Sequence, residues 1–484
     1  AFAESVFAAG LTWVGAPADQ IRLLGDKIAA KQAAIAAGVP TTPIVTIDGG
    51  AAPAAGALPP FPLFVKAAAG GGGRGMRVVR TPADLDEAIA AASREAQAAF
   101  GDGTVFIEPY IARGRHVEVQ VFGDTHGNVV HLGERECSIQ RRNQKIVEEA
   151  PSPGITDATR AALHAGAVAL ARHVGYVGAG TVEFMVAERP EGPAEITFLE
   201  VNTRLQVEHP VTEAVTGLDL VDWQLRVAAG EPLPLTQDEI AVTGAAIEVR
   251  LVAEDPAAGW LPSVGSLRHF DLRGDGVRVD TGFRAGSTVA AEYDSLLAKV
   301  IAHDATRTGA AARLARALRG GRVTGVQTNL AALVAILGEH DFLAGDTPTA
   351  YLDEHPGVLA ATTIGPPLAE QTEAAHLVAA VLAAEATHQT ANPLAFAPSG
   401  WRNVRTVGQR RVHCREGHAR HIEYAFRRDG VTVDVLVGPP PVPGDDGTLT
   451  PDERCPATVR LLARTADRVV LEVDGVRHAI DVDL

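Results

Sequence analysis

The most chemically suggestive residues of this chain alternate along one short segment, Ile196 to Gln206. Side chains alternate along a β-strand, so one face of this segment would carry acids, an amide and a cation. Buried strand faces are normally apolar, and a solvated face with ordinary ion pairs fits the whole set poorly. The predicted faces are Thr197, Leu199 and Val201 on one side, and Glu200, Asn202, Arg204 and Gln206 on the other.

A second acid near this segment indicates a metal-binding site. Glu183 lies in another strand-like run, T-V-E-F-M-V, from which it can face Glu200. Two carboxylates and the amide oxygen of Asn202 are the hard ligands that suit Mg²⁺, which shares its coordination sphere with substrate phosphates. Taken alone, Glu183 would fit an ordinary ion pair. The set together predicts a divalent-cation site beside a phosphate-bearing substrate.

A glycine-rich segment offers a phosphate-binding loop. Lys66 ends a strand, the glycines of residues 70–73 follow with Arg74, and a strand resumes near Met76. Glycines let the backbone approach phosphate closely, and Lys66 adds a positive charge. The order differs from G-x-x-x-x-G-K-[ST] and from a helix-opening G-x-G-x-x-G. We therefore expect a mobile lid rather than a plain linker.

At these motifs the chain closely resembles the biotin carboxylase subunit of acyl-CoA carboxylases, an ATP-grasp enzyme. The resemblance extends over about residues 1–355 without a large gap. The segments that carry it are L-L-G-D-K (23–27), F-V-K-A-A-A-G-G-G-G-R-G-M-R-V-V (64–79), R-H-V-E-V-Q-V (115–121), E-R-E-C-S-I-Q-R-R-N-Q-K-I-V-E-E-A-P (134–151), F-L-E-V-N-T-R-L-Q-V-E-H-P-V-T-E (198–213), I-E-V-R-L-V-A-E-D-P (247–256) and Y-D-S-L-L-A-K-V-I (293–301).

The resemblance implies an α/β ATP-grasp biotin carboxylase fold, followed by a helix and an antiparallel β-barrel. The chain starts without Met, and roughly 80 to 90 residues of an N-terminal βαβ domain are expected to be missing. The expected domains are the end of the N-terminal domain (1–39), the ATP-grasp lid (40–112), the C-terminal ATP-grasp domain (113–355), a linker and helix (356–389) and the barrel (390–484).

The implied reaction phosphorylates bicarbonate with ATP, and the resulting carboxyphosphate delivers CO₂ to biotin. ATP, bicarbonate and the intermediate are all anions, so positioning and electrostatic stabilisation must supply most of the catalysis. The implied ATP-binding residues are Lys27 and Lys66 at the phosphates, the backbone of Gly72 and Gly73 above them, and Glu108, His116, Gln140, Asn143 and main-chain groups near Ile111 around adenine and ribose.

The remaining implied roles concern the metal, bicarbonate and biotin. Asn143 stands where many relatives carry His, and its amide still donates one hydrogen bond. Without the resemblance, Arg250 could equally form a structural ion pair with Glu248 or Glu254. The implied roles are Glu183, Glu200 and Asn202 for Mg²⁺ or Mn²⁺; Lys145, Arg204, Gln206 and the backbone of Val207 for bicarbonate; Glu208 as general base; and Arg250 for the biotin enolate.

Composition and charge argue against several kinds of binding partner and site. A net charge of −16 argues against binding nucleic acid or anionic membranes. The three cysteines form no C-x-x-C pair, which argues against a disulfide framework or zinc site and fits a cytoplasmic protein. No apolar run is long enough to span a membrane.

After Pro356 the composition changes, and short strand-like runs recur about every ten residues. This spacing is typical of an antiparallel barrel or sandwich. The segment A-P-S-G-W-R-N-V-R (397–405) weakly resembles the domain that joins the subunits of propionyl-CoA and 3-methylcrotonyl-CoA carboxylases. The implied partners are a carboxyltransferase (beta) subunit in a hetero-oligomer and a biotin carboxyl carrier domain. The carrier domain is counted as a partner because the family attaches biotin to the lysine of an M-K-M triplet, which does not occur here.

Three alternatives stay open. Another ATP-grasp ligase would share the lysines, glycines and metal acids, but would have no reason to carry R-L-Q-V-E-H-P. A pyruvate or urea carboxylase would keep every site residue, and only the region after 356 argues against it. A non-catalytic scaffold subunit of the same complex would be expected to have lost a metal ligand or Arg204.

Overall fold

The computed structural model describes residues 1–47, 58–68, 75–187, 192–361, 370–391, 408–415, 418–438, 455–473 and 475–482. These residues form two compact units, which divide after Ile364. The glycines of the predicted lid and the segment 397–405 lie outside the described residues. None of the described helices is long and apolar enough to cross a bilayer.

The chain begins with short helices. The Ala-rich run 26–37, closed by Gly38, predicts the third of them. Asp26 caps this helix by accepting a hydrogen bond from the amide of Ala29 at 2.8 Å, so the helix begins at Lys27. The pattern of residues 11–14 predicts a strand, but they form none, because no neighbouring strand pairs with them in the described structure. The helices are α1 (Phe2–Ala8), α2 (Ala18–Gly25) and α3 (Lys27–Ala36).

A small antiparallel sheet follows, with one helix packed against it. Its strand order is β1-β4-β2-β3, and Leu63, Ile89 and Ile107 lie in the core between sheet and helix. The run T-P-A-D (81–84) predicts a capping box with proline at the first helical position. This prediction is wrong, because the Thr81 hydroxyl bonds the Asp84 side chain and a 3₁₀ turn (Pro82–Asp84) precedes the helix. The elements are β1 (Val45–Ile47), β2 (Leu63–Ala67), β3 (Met76–Val79), α4 (Leu85–Phe100) and β4 (Val105–Pro109).

The largest sheet starts with five antiparallel strands and one covering helix. The apolar spacing of residues 157–174, with Gly175 after them, predicts this helix. Thr156 caps it through the amide of Thr159, and the helix ends at His173, one residue before the predicted end. The elements are β5 (Arg115–Gly123), β6 (Val129–Arg141), β7 (Gln144–Ala150), α5 (Asp157–His173), β8 (Gly178–Ala187) and β9 (Glu195–Asn202).

The rest of the first unit completes this sheet and covers it. The helix predicted at 306–319 is present, with Leu314 and Leu318 buried. The elements are α6 (His209–Thr216), α7 (Leu220–Ala228), a 3₁₀ turn (Gln237–Glu239), β10 (Ala245–Val252), β11 (Glu254–Asp255), β12 (Leu261–Pro262), β13 (Gly265–Ser266), β14 (His269–Asp271), β15 (Val277–Thr281), β16 (Thr288–Val289), β17 (Leu296–Asp304), α8 (Arg307–Gly320), β18 (Arg322–Thr324), α9 (Leu330–Ile336), α10 (His340–Ala344), α11 (Tyr351–Glu354) and α12 (Pro356–Leu359).

The eight-stranded sheet has one apolar face and one polar face. Its order is β15-β17-β10-β7-β6-β5-β8-β9, with all neighbours antiparallel. Val117 and Val119 pack beneath α5, and Ile247 and Val249 pack beneath α8. Since side chains alternate, the intervening residues of these strands, such as Glu118, lie on the opposite face.

The second unit is a meander of six strands and one helix. The sheet order follows the sequence, β19 to β24, and α13 packs its Leu382 against Val433 and Leu471. The sequence predicts six strands here, at 411–414, 421–426, 431–437, 458–462, 469–473 and 477–482, and all six are present. In the described part of the chain β19 and β24 do not pair, so closure into a barrel stays a prediction. The elements are α13 (Glu370–Ala391), β19 (Gln409–Arg415), β20 (His418–Phe426), β21 (Thr432–Val437), β22 (Cys455–Arg464), β23 (Arg468–Val473) and β24 (Val476–Asp481).

The predicted domain boundaries within residues 1–355 and at 356 and 390 stay predictions. The packing adds one point: α13 shares its core with the strands that follow it, so helix and sheet fold as one body.

Candidate active site

A cavity of about 960 Å³ lies over the polar face of the large sheet, and the small sheet and α3 supply its remaining wall. Every described residue that the sequence predicted for the site lines this cavity. They are Lys27, Lys66, Glu108, Ile111, His116, Gln140, Asn143, Lys145, Glu183, Glu200, Asn202, Arg204, Gln206, Val207, Glu208 and Arg250.

A β-bulge in β9 shapes the acidic wall. Glu183 pairs in register with Glu200, as predicted, but Phe184 pairs with Phe198, so Leu199 is an extra residue. The strict alternation predicted for this segment is therefore wrong. The bulge turns Thr197 and Glu200 toward the same cavity. The strand also ends at Asn202, and the polar residues beyond it stand on a loop.

Lys145 is the hub of the charged network. Its ammonium lies 2.5 Å from Glu118, 2.6 Å from Glu208 and 3.1 Å from Glu183. Burial alone would lower the pKa of this ammonium, but these carboxylates raise it well above its usual range. Lys145 is therefore charged at neutral pH and joins the predicted metal ligand to the predicted base.

Glu208 is held between two cations. The Arg250 guanidinium lies 2.9 Å from its second oxygen, and Arg250 also bonds Glu148 at 2.5 Å. Burial opposes the charge on Glu208, but Lys145 and Arg250 hold its pKa below the usual range. It is thus ionised at neutral pH, the state that a proton acceptor requires. Its basicity would rise when a bound anion takes up part of the neighbouring positive charge.

The ion pairs considered from sequence for Arg250 are wrong. Glu254 instead pairs with Arg141 at 3.0 Å, and Glu248 forms no hydrogen bond within the described structure. Glu148 was absent from the prediction, because partners on neighbouring strands depend on a register that spacing alone does not give.

A fully buried arginine supports the network from below. Arg135 donates to Glu118 at 2.6 Å and to Gln206 at 2.8 Å, and Gln206 in turn donates to Glu183 at 3.1 Å. Neither Arg135 nor Glu118 was predicted as a site residue. A signal was present for Glu118, since it stands two residues after His116 and therefore shares its strand face.

His116 lies at the edge of the acidic wall. It contacts Glu183 at 2.9 Å, and Gln140 lies 2.5 Å from its other ring nitrogen. Burial would lower the pKa of His116, but Glu183 raises it overall. In the opposite direction, Lys145 and His116 hold the pKa of Glu183 well below the usual range, against the effect of burial. Asn202 completes the contacts of Glu183 with a hydrogen bond of 2.8 Å.

Two lysines converge on Glu108 at the other wall. Lys66 forms an ion pair with one of its oxygens, and Lys31 lies 2.5 Å from the other, with Thr42 at 2.7 Å. Burial would raise the pKa of Glu108, but both ammonium groups lower it to about 2. Two cations thus share one carboxylate, which leaves a surplus of positive charge on this wall. Lys31 was missed, because a lysine inside an Ala-rich helix reads as a surface residue.

Lys27 and Asn143 occupy different edges of the cavity. The Lys27 ammonium lies 3.5 Å from Glu200. Asn143 is exposed in the two-residue turn between β6 and β7, where φ is 48° at Arg142 and 64° at Asn143. Such a turn requires positive φ at both central residues, and asparagine adopts it readily. The backbone conformation therefore explains an asparagine at this position.

Among the predicted site residues, Arg204 has the weakest contacts with the charged network. Its guanidinium is exposed and lies 3.3 Å from the carbonyl of Leu205 and 3.4 Å from Asn202. The carbonyl of Val207 accepts a hydrogen bond from Lys299 at 2.6 Å, which pins the loop that carries Glu208. Gly72 and Gly73 lie outside the described residues.

The donor set is compatible with a hard divalent cation. Glu183 and Glu200 are cross-strand partners, and the side-chain oxygen of Asn202 lies on the same strand as Glu200. Carboxylate and amide oxygens are the ligands that Mg²⁺ takes, and the surplus of lysines nearby suits the phosphates that would share it.

Comparison with known proteins identifies this arrangement. Residues 26–236 match the family of the carbamoyl-phosphate synthase L chain, ATP binding domain, and residues 248–354 match the biotin carboxylase C-terminal domain. Biotin carboxylase of Haemophilus influenzae is 44% identical over 367 residues, covering 74% of this chain and 80% of that protein. The chain belongs to the biotin carboxylase family.

A biotin carboxylase is also the structural match. The biotin carboxylase domain of Hydrogenobacter thermophilus 2-oxoglutarate carboxylase, solved with MgADP, ADP and bicarbonate, is 41% identical and superposes with a TM-score of 0.70, covering 75% of this chain and 80% of that one. Methylcrotonoyl-CoA carboxylase subunit alpha of Arabidopsis thaliana is 44% identical over 376 residues, covering 76% of this chain and 50% of that protein. The chain thus spans about half the length of that multidomain relative.

Proposed function

We propose that this chain catalyses the ATP-dependent carboxylation of biotin by bicarbonate. The observation that carries the proposal is the position of Lys145, whose ammonium bonds both Glu183 on the acidic wall and Glu208 beside Arg250. One cation thereby connects the place proposed for metal and phosphate with the place proposed for proton transfer. This arrangement suits a reaction in which a phosphoryl acceptor is also the proton donor.

On this proposal, the cation-rich wall orients ATP. Lys27 and Lys66 would contact the phosphates, and Glu108 keeps Lys66 in place. The other groups proposed around the nucleotide are the backbone of Gly72 and Gly73, His116, Gln140, Asn143 and main-chain atoms near Ile111. Glu183, Glu200 and Asn202 would hold Mg²⁺ or Mn²⁺, which when bound supplies positive charge to the phosphate oxygens.

Bicarbonate would bind between Lys145, Arg204, Gln206 and the backbone of Val207. Its oxygen attacks the γ-phosphorus, the bond to ADP breaks, and Glu208 takes the proton of bicarbonate. The carboxyphosphate formed breaks down to CO₂ and phosphate, and the phosphate would take the ureido N–H proton of biotin as that nitrogen bonds CO₂. Arg250 would stabilise the enolate of the biotin ring that receives CO₂, through the planar donor geometry of a guanidinium.

The proposed setting is a multi-subunit acyl-CoA carboxylase. Biotin would arrive on a carrier domain, and a carboxyltransferase (beta) subunit would use the product in a cytoplasmic hetero-oligomer. The likeness to a methylcrotonoyl-CoA carboxylase subunit supports this choice, although the family also includes a 2-oxoglutarate carboxylase. Pyruvate or urea carboxylation is therefore the second candidate, and the subunit that co-purifies with the full-length protein would distinguish them.

The decisive experiment measures ADP formation by the full-length protein with ATP, Mg²⁺ and free biotin, with and without bicarbonate. We expect hydrolysis that depends on bicarbonate, and carboxylation of free biotin. A scaffold subunit would show neither, even when correctly folded. Hydrolysis independent of bicarbonate would instead indicate a different ATP-grasp ligase.

A further inference from the structure

Two buried glutamates beside Arg250 have no role in the chemistry described so far. Glu148 on β7 and Glu248 on β10 are direct cross-strand partners, and both are completely buried. Cross-strand partners lie roughly 5 Å apart at Cβ, and like charges in that position repel. Their side chains point to the same face as Arg250, which stands two residues after Glu248.

Their hydrogen bonding is incomplete in a specific way. Arg250 bonds one oxygen of Glu148, whereas the other oxygen of Glu148 and both oxygens of Glu248 have no partner within the described residues. A buried carboxylate without hydrogen bonds or a counter-ion is strongly unfavourable. A single proton placed between the two groups removes one charge and supplies the missing donor.

Both apolar and charged side chains surround this pair. Glu248 pairs with Ile301 on β17, and Ile301 belongs to a buried apolar cluster that also contains Ala246. Burial and Glu148 raise the pKa of Glu248 well above its usual range. Burial also raises the pKa of Glu148 to about 7, although Arg250 opposes this. The other titratable or charged groups that face the pair are Cys137, Lys145, Glu208, Arg250 and Lys299.

We propose that Glu148 and Glu248 share one proton, which Glu248 carries and donates to Glu148, and that this dyad fixes the Arg250 guanidinium against Glu208. With one proton the dyad has a single negative charge, which matches the single positive charge of Arg250. Loss of that proton would add a second negative charge to the dyad, which bonds Arg250 through Glu148. The guanidinium would then be drawn from the proposed base and from the biotin ring. Glu248 is thus a positioning residue, and its effect on Arg250 rests on the proposed function.

Infrared difference spectroscopy on the full-length protein tests the proton directly. The spectrum of wild type minus Glu248→Gln near pH 7 should contain the carbonyl band of a protonated carboxyl group, with its shift in D₂O. Glu149→Gln is the matched control: Glu149 follows Glu148 in the sequence and is also buried, but Arg307 bonds it at 2.5 and 3.1 Å. The control should keep the band that Glu248→Gln loses. An unchanged spectrum in Glu248→Gln would overturn the proposal.

Kinetics test the effect on Arg250. Glutamine keeps a donor for Glu148, whereas leucine leaves a buried acceptor unpaired, at a cost equivalent to roughly tenfold or more. We expect kcat/KM for free biotin to fall about tenfold in Glu248→Leu and to recover largely in Glu248→Gln. The decline of kcat/KM at alkaline pH should move to higher pH in Glu248→Gln, because glutamine has no proton to lose.

The two measurements separate this inference from the proposed function. A carboxyl band that disappears in Glu248→Gln, in a protein that never carboxylates biotin, would keep the dyad and refute the function. Biotin carboxylation with equal losses in the leucine and glutamine variants would keep the function and refute the role of the dyad toward Arg250.

Discussion

The two units of this protein bury polar groups to very different extents. In the first unit, the described side chains of Glu118, Arg135, Lys145 and Glu208 are buried together in one hydrogen-bonded network. In the second, the described core is aliphatic, and its buried acid Glu385 is bonded by Tyr424 and Arg464. Burying charges costs stability unless they are paired, so their concentration in one unit indicates where the chemistry takes place.

Removal of the second unit tests most directly whether the chemistry resides in the first. Deleting residues 365–484 takes away α13 with its sheet and leaves the charged network intact. We expect bicarbonate-dependent ATP hydrolysis to stay within about twofold of the full-length value, since no proposed catalytic residue is lost. Co-elution with a carboxyltransferase subunit should disappear. Normal co-elution of the shortened chain would defeat the assembly role of the second unit.

The largest kinetic effect should come from the acidic wall. Glu200→Gln keeps the shape of the side chain and removes its charge, so ADP formation should fall roughly a hundredfold or more. The exposed Glu195 at the start of the same strand offers a control, and Glu195→Gln should be near normal. Thermal unfolding of both variants should resemble that of the wild type. Near-normal turnover of Glu200→Gln in saturating Mg²⁺ would exclude Glu200 from the metal site.

The lysine pair on Glu108 connects the network to stability. Lys31→Met leaves Glu108 buried with one fewer cation, and we expect a loss of about 3 kcal/mol of stability near neutral pH. The pKa of Glu108 is lowered to about 2, so its contribution is present above the usual pKa and is lost as the pH falls toward 2. Thermal unfolding should therefore show a smaller difference between variant and wild type near pH 3 than near pH 7. An equal difference at both pH values would assign the loss to packing alone.

An aliphatic truncation in the second unit should show the opposite pattern. Leu471→Ala removes a completely buried side chain and should cost about 2 to 3 kcal/mol through the cavity left behind. Calorimetry should assign this loss to unfolding of the second unit. ATP hydrolysis should not change, and a fall in ATP hydrolysis without unfolding would mean that the two units depend on each other for catalysis.

The smallest effect is expected at the turn between β6 and β7. Asn143→His restores the residue of many relatives at a position where φ is 64°, and histidine tolerates this conformation. The KM for ATP should change by less than about threefold, because one proposed ribose contact is exchanged for another. A larger change would give residue 143 a stronger part in nucleotide binding than its exposed position indicates.

The contrast between the polar network of the first unit and the aliphatic core of the second also explains which features the sequence could predict. Local patterns were sufficient for the helices that begin at Lys27, Asp157 and Arg307 and for all six strands of the second unit. The partners of the network were not local. The pairing of Glu148 with Glu248 depends on strand register. The contact of Lys31 with Glu108 depends on how α3 approaches the small sheet. The cross-strand pairing of Glu183 with Glu200 was the one register that alternation predicted.

The bulge at Leu199 has a consequence for how this family can change by insertion and deletion. Removing that single residue would restore a regular ladder between β8 and β9 without touching any residue assigned a role. The pairs Glu183–Glu200 and Phe184–Phe198 already flank the bulge, so the shortened strand would keep Glu200 toward the cavity and Phe198 toward the core. A shorter, more regular strand would therefore keep its acidic wall and lose only Leu199 from the cavity lining. At this point, the length of the strand can change by one residue without moving the acids it carries.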